Sequence, residues 1–266
     1  MTVPPPKVAI APEPAPAWIR AAVEAGGGQP VAVSEAEGLV WIDPHRVDTL
    51  VETLAGAGPE LRWVQLPFAG IERFVAAGVF DDGRTWTCGK GVYAEPVAEH
   101  ALAMGLHGLR SLDAYAAATA WSASRGTSLY DGRVTILGGG GITESLIGLL
   151  APFRVATTVV RRQADRSMPG AARTVGLDRL HEALDGADLV VLALALTPET
   201  AGVIAEPELR AMASHAWLVN VARGRHVVTD DLVRALEGDW IGGAALDVTE
   251  PEPLPEGHPL WTLPNA

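Results

Sequence analysis

Four consecutive glycines, Gly138 to Gly141, interrupt the run TILGGGGITESL at residues 135–146. In the register G-x-G-x-x-G, Gly138 and Gly140 take the first two glycine positions and Thr143 takes the third. An apolar strand pattern leads into the run and a helical pattern leads out, the context in which such a turn binds a dinucleotide. The first glycine permits the tight turn, and the second lets backbone approach a pyrophosphate. The helix N-terminus offers that anion its free N–H groups. Thr143 departs from the pattern. The third glycine normally brings helix and strand close, so a threonine predicts a slightly displaced helix or weaker cofactor binding. A merely flexible glycine loop is the competing reading.

The end of the following strand selects the dinucleotide. A carboxylate about 20 residues past the glycines would hold the adenosine ribose hydroxyls, whereas arginine suits a 2′-phosphate. Here the position falls on Arg161 and Arg162 in VVRRQ, and no carboxylate comes before Asp165. The planar guanidinium fork pairs well with phosphate oxygens, so NADP is preferred over NAD. Two solvated arginines at a strand end are the alternative. The same arginines argue against a methyltransferase, whose cofactor ribose also wants an acid there. A short-chain reductase needs Lys four residues after Tyr, but Tyr93, Tyr115 and Tyr130 are followed at that spacing by Val97, Thr119 and Val134.

A second constellation lies toward the end of the chain. Arg223 stands just past an apolar strand in VNVARGRHVV, where it could bind an anionic substrate through two parallel hydrogen bonds. Asp247 closes a strand in AALDVTEPEPLPEGHPLW, and Glu252 follows five residues later.

These residues need elements to hold them. Short apolar runs alternate with helical runs from KVAIAP (7–12) to WIGGAALDV (240–248). Among them are PVAVSE (30–35), LRWVQLP (61–67), RVTILG (133–138), DLVVLALAL (188–196) and AWLVNVA (216–222). Continuous apolar strands between helices indicate parallel sheets covered on both faces. An alanine-rich stretch at 94–122 reads as one long helix joining two such units. The expectation is an α/β protein of two doubly wound parallel-sheet domains, 1–93 and 94–266, with a ligand cleft between them.

Composition narrows the class. A chain of 266 residues can bury a sizeable core, and its single cysteine, Cys88, excludes a disulfide framework and a thiolate zinc site. Cys88 itself reads as a small half-buried residue. The formal net charge of −12 opposes nonspecific nucleic-acid binding. No apolar leader or membrane-length run is present, and a cytoplasmic location is the default expectation.

The chain resembles the D-isomer-specific 2-hydroxyacid dehydrogenase family over nearly its whole length, and its glyoxylate and hydroxypyruvate reductase branch most. The matching residues are QLPFAGIE (65–72), GVYAEPVAEHALA (91–103), the glycine turn, LTPET (196–200), VNVARG (219–224) and ALDVTEPEPLP (245–255). The resemblance implies a flavodoxin-like substrate domain and a Rossmann cofactor domain, dimeric through the latter, with the 94–122 helix, His100 and Trp121 at the interface. It implies hydride transfer between NADP or NAD and a small 2-keto or 2-hydroxy acid, and no metal. Arg223 would bind the substrate carboxylate and polarise the keto oxygen, helped by the backbone amides of Ala69 and Gly70. Gly141 and Ile142 would lie against the pyrophosphate, Val221 and Ala222 near the nicotinamide, and Asp247 near its carboxamide. Gly141 replaces a longer polar side chain common in relatives, and Ala195 replaces a frequent proline. Both changes predict weaker cofactor binding.

In that family Glu252 would tune a catalytic histidine, carried by a Pro-His motif after a loop resembling PLWTLPN. No such position occurs within these 266 residues. The expectation is therefore a chain cut before its acid, with an open sheet edge and apolar surface left uncovered on the first domain. Among the seven histidines, His258 reads as structural, and His226 as a weak substitute for the acid. His100 and His107 read as interface or core positions, and His45, His181 and His215 as solvated. Two rival readings stay open: a catalytically inactive nucleotide-binding homologue, and an unstable fragment.

Overall fold

The computed structural model describes residues 4–81 and 83–266. The chain divides into two compact units with the boundary between Val92 and Tyr93.

Among its described residues the first unit carries five strands: β1 (Lys7–Ala11), β2 (Gln29–Pro30), β3 (Gly38–Trp41), β4 (Trp63–Gln65) and β5 (Thr85–Thr87). They pair in parallel in the order β2-β1-β3-β4-β5, the flavodoxin-like arrangement. Helices α1 (Ala17–Ala25), α2 (Val47–Ala55) and α3 (Glu72–Ala76) connect them. Leu39, Trp41, Leu50, Val64, Leu66 and Phe74 form its core, with Cys88 half-buried beside them. Helix α1 buries none of its residues, and Trp18 on it is 71% exposed.

The second unit carries six parallel strands: β6 (Arg133–Leu137), β7 (Ala156–Val160), β8 (Arg173–Val175), β9 (Leu189–Leu192), β10 (Trp217–Asn220) and β11 (Gly243–Leu246). Their order, β11-β10-β9-β6-β7-β8, is the 3-2-1-4-5-6 pattern of the Rossmann fold. Successive residues go to opposite faces. Val134, Ile136, Val159, Val191 and Val219 pack on one side, while Leu137, Val160, Val190, Leu192 and Leu218 pack on the other. That is why these strands read as continuous apolar runs rather than alternating ones. Helices α4 (Ala94–Leu109) and α6 (Gly141–Leu150) cover the first face. Helices α7 (Leu180–Leu184), α8 (Glu206–Ala211) and α9 (Thr229–Glu237) cover the second. A short helix, α5 (Leu112–Ala116), follows α4.

Glycines set the depth of α4 on this sheet. A Cβ at Gly108 would sit 2.1 Å from the Trp217 ring, and one at Gly105 would sit 2.9 Å from Leu189. At the outer strand, the Ala244 N–H donates to the Asn265 carbonyl at 2.9 Å, so residues 263–266 run beside the start of β11.

Two element expectations need correction. The 94–122 stretch is not one helix. The Leu109 carbonyl is taken by the Thr127 N–H, and Ser111 adopts φ 51°, which ends α4 despite the helix-favouring alanines around it. The strand expected at 30–35 is only Gln29–Pro30, because Val33–Glu35 turns into a 3₁₀ helix.

An acid-sensitive anchor holds α7. Glu182 accepts hydrogen bonds from Arg179 and Arg173, each at 2.7 Å. These bonds, Arg179's first, hold its carboxyl at about 2 against an ordinary 4.5. A folded value below the unfolded one gives stability that is present above the unfolded pKa and lost as pH falls toward about 2. Glu182→Gln should therefore lower the melting temperature slightly at neutral pH, and the gap from the parent should close in melts run progressively into acid. A gap that does not change with pH would contradict this.

Candidate functional site

The second sheet places the expected residues along one edge. Strand order reverses between β6 and β9, so the connections from their carboxyl ends part in opposite directions and leave a crevice. Backbone hydrogen bonds keep the strand ends in step. The Gly138 N–H donates to Val160, Arg161 to Val175, Ala193 to Leu137, Val221 to Leu192 and Asp247 to Asn220, at 2.8–3.3 Å. Gly138, Arg161, Val221 and Asp247 therefore share the carboxyl edge, and residues 139–142, Arg162, Ala222 and Arg223 adjoin it.

The glycine turn has the shape a dinucleotide needs. Gly138 has φ 119°, and a Cβ on it would lie 2.2 Å from the Ala193 carbonyl oxygen, so no other residue fits without displacement. A Cβ at Gly140 would meet nothing within 4 Å, leaving open space over the turn. Helix α6 starts at Gly141 with Gly140 and Gly141 exposed and Ile142 half-buried, so their N–H groups are presented at its positive end. Thr143 is fully buried, and its hydroxyl donates to the Gly138 carbonyl at 3.0 Å. The threonine is thus absorbed by a bond that ties helix to turn.

The two arginines after β7 differ in their surroundings. A Cβ on Gly139 would come within 2.7 Å of Arg161 Nε and 2.9 Å of its Cζ, so the guanidinium lies over the turn. It forms no hydrogen bond or ion pair with a described residue. Arg162 is exposed and reaches the field of Glu199 in the LTPET loop. The Glu199 carboxyl is held below its ordinary value chiefly by a hydrogen bond from Thr197, with the Arg162 charge contributing less. A cation beside a helix N-terminus is repelled by the dipole unless an anion lies between them. The donor set therefore fits a phosphate-bearing ligand.

Arg223 is held by a small buried network. Asn220, 1% exposed, donates from Nδ2 to the Arg223 carbonyl at 2.9 Å and accepts from the Ala222 N–H at 3.0 Å. The Arg223 N–H donates to His226 Nδ1 at 3.2 Å, and Arg223 Nη1 donates to the Ala222 carbonyl at 2.6 Å. Gly224 lies so close to the 249–250 backbone that a Cβ would fall 1.9 Å from the Thr249 carbonyl oxygen. Val221 and Ala222 are buried and Arg223 half-buried.

Glu252 is exposed and makes no hydrogen bond or ion pair with a described residue. Its loop is fixed by the backbone instead, through Thr249 Oγ1 to the Pro251 carbonyl at 2.8 Å and Thr229 Oγ1 to the Glu250 carbonyl at 2.6 Å. His226 is fully buried against Arg223 and braces that residue. His258 accepts from the Leu260 N–H at 3.3 Å and caps a short turn. His100 is half-exposed and pairs with Asp247 at 3.4 Å, a contact that sequence spacing did not disclose. His107, His181 and His215 likewise pair with carboxylates, Asp113, Glu208 and Asp188, at 2.6–2.8 Å, and all three side chains are about half exposed; His181 and His215 were expected to be solvated, and His107 to be an interface or core position.

Ala69 and Gly70 belong to the first unit. They follow β4 at the carboxyl end of its sheet, Ala69 exposed and Gly70 half-buried. Among the described residues no group of three or more His, Cys, Asp or Glu side chains could hold a metal ion. No helix among them is long and apolar enough to cross a membrane.

Comparison with known proteins gives concordant results. The family model for the D-isomer specific 2-hydroxyacid dehydrogenase NAD binding domain matches residues 100–266. A protein of Corynebacterium melassecola described as uncharacterized, in the proB 3′ region, is 39% identical over 224 residues, covering 79% of this chain and 73% of that one. Glyoxylate/hydroxypyruvate reductase A of Serratia proteamaculans is 36% identical over 133 residues, 50% of this chain but only 42% of the reductase. The crystal structure of a D-isomer specific 2-hydroxyacid dehydrogenase from Xanthobacter autotrophicus Py2, in complex with NADPH and MES, superposes with a TM-score of 0.84. It is 25% identical, and the match covers 98% of this chain and 86% of that one.

Proposed function

We propose that this chain, which belongs to the D-isomer specific 2-hydroxyacid dehydrogenase family, transfers hydride between NADP(H) and a small 2-keto or 2-hydroxy acid. The observation that carries the nucleotide choice is the Arg161 guanidinium over the glycine turn, close to a helix N-terminus and without a hydrogen-bond or ion-pair partner among the described residues. Residues 93–266 are proposed as the nucleotide domain and the unit before them as the substrate domain.

The proposed roles follow the geometry. Gly138, Gly140, Gly141 and Ile142 would hold the pyrophosphate by backbone N–H groups, while Arg161 and Arg162 hold the 2′-phosphate. Val221 and Ala222 would form an apolar wall beside the nicotinamide, and Asp247 would accept from its carboxamide. When the cofactor is bound, its nicotinamide supplies or receives the hydride. Arg223, braced by Asn220 and His226, would bind the substrate carboxylate and draw electron density from the keto oxygen. Ala69 and Gly70 in the first unit are proposed as backbone donors to a carboxylate. Glu252, exposed and without a hydrogen-bond or ion-pair partner among the described residues, is proposed to orient and charge an imidazole by hydrogen bonding. The test is oxidation of NADPH in the presence of glyoxylate, hydroxypyruvate or pyruvate. Activity with one of these supports the reading, and absence of activity counts against it for a chain that also carries the Pro-His histidine the resemblance implies.

A cytoplasmic homodimer completes the proposal. The lone cysteine suits a reducing compartment. Trp121 is fully exposed in the irregular segment after the short helix that carries the exposed Leu112 and Tyr115, and exposed apolar surface commonly marks contacts between chains. Trp121→Ser should shift the sedimentation profile toward monomer at low concentration. A profile identical to the parent would remove Trp121 from the interface.

A further inference from the structure

The second position of the glycine fingerprint contacts nothing in the usual account of such turns. Here it has a specific neighbour. Gly139 does not adopt a positive φ, so its backbone would accept an ordinary side chain. What its missing Cβ leaves free is the space over its α-carbon, and the Arg161 side chain fills it, with Nε, Cδ and Cζ all within 2.9 Å of where that Cβ would be. Arg161 cannot retreat as a backbone unit, because its N–H is fixed to the Val175 carbonyl at 2.9 Å. Only the side chain can yield.

We propose that Gly139 is a determinant of cofactor specificity: by carrying no side chain it lets the Arg161 guanidinium lie over the turn, where it holds the 2′-phosphate of NADP(H). This rests on the nucleotide reading above and adds a residue to it. The roles of the two arginines separate accordingly. Arg161 lies over the turn, while Arg162 is exposed. A side chain at position 139 would push the Arg161 guanidinium outward at little conformational cost, since the displaced atoms belong to a flexible side chain. Recognition of the extra phosphate would fall while the turn itself stays intact.

The experiment titrates the parent chain and the Gly139→Ala, Gly139→Val and Arg161→Gln variants with NADPH and with NADH by calorimetry. Thermal melts without nucleotide confirm that each variant is folded. Loss of a charge-assisted phosphate contact predicts that Gly139→Val and Arg161→Gln each weaken NADPH binding roughly 10- to 100-fold. NADH binding should stay within about twofold, inside the scatter expected of neutral substitutions. The double variant Gly139→Val/Arg161→Gln should be no worse than Arg161→Gln alone, because both changes remove the same contact. A Gly139→Val chain that keeps the parent's NADPH preference overturns the inference, as does equal weakening of both nucleotides. If Gly139→Val fails to fold, Gly139→Ala decides by the same criteria. Binding of neither nucleotide by the folded parent would instead overturn the cofactor reading itself.

Discussion

Gly138→Ala should cost the second unit about 2–6 kcal/mol of stability and abolish measurable nucleotide binding. Two penalties combine. A non-glycine residue at φ 119° is strained by about 1–3 kcal/mol. Its methyl group would also sit 2.2 Å from the Ala193 carbonyl oxygen and 2.6 Å from the Ala193 carbonyl carbon, a backbone clash worth about 1–3 kcal/mol. Neither Ala193 atom can move freely, because the Ala193 N–H is bonded to Leu137 within the sheet. A melting temperature lower by roughly 5–15 °C would match this cost for a unit of this size. Calorimetric melts with and without NADPH are the check. A parent-like melt that still rises with nucleotide would show that the turn tolerates a side chain, contrary to the geometry.

Arg223→Gln should reduce kcat/KM for the keto acid by roughly 30- to several-thousand-fold. That range corresponds to the 2–5 kcal/mol lost when one partner of a hydrogen-bonded charge pair is truncated. NADPH affinity should be nearly unchanged, because Arg161 and the glycine turn lie on other connections of the sheet. Arg223→Lys should recover little, since an ammonium cannot reproduce the planar fork that pairs with a carboxylate. The prediction depends on the brace around Arg223. Asn220 and His226 hold its backbone from a buried position, which fixes the direction of the side chain before any substrate arrives. An Arg223→Gln chain with parental kcat/KM would remove this residue from substrate recognition.

The sequence disclosed those parts of the fold that depend on local pattern. The strands of the second sheet are buried on both faces, so each appears as a continuous apolar run, and β6, β9 and β10 could be located within a few residues. The glycine turn and the arginines after β7 followed from counting along the chain. Other features depend on residues far apart. Ser111 ends α4 in a left-handed conformation because Thr127 returns to take the Leu109 carbonyl, a bond that alanine propensity does not encode. Strand β8 is three residues with an arginine at its start, too short and too polar to stand out. The cover of Arg161 over Gly139 joins positions 22 apart, and the His100–Asp247 pair joins positions 147 apart. Both were invisible until the strands were set side by side. Thr143 taught a different lesson: its departure from the glycine pattern suggested a looser turn, yet its hydroxyl ties α6 to Gly138.

In the second unit, proposed to bind NADP(H), the arginine at the end of β7 should set the preference between the two nucleotides. Equilibrium titration of the purified chain with NADPH and with NADH tests it most directly, since binding needs no turnover. Saturable binding of NADPH, tighter than that of NADH by roughly 10-fold or more, is expected. Binding of neither nucleotide, or tighter binding of NADH, would contradict it.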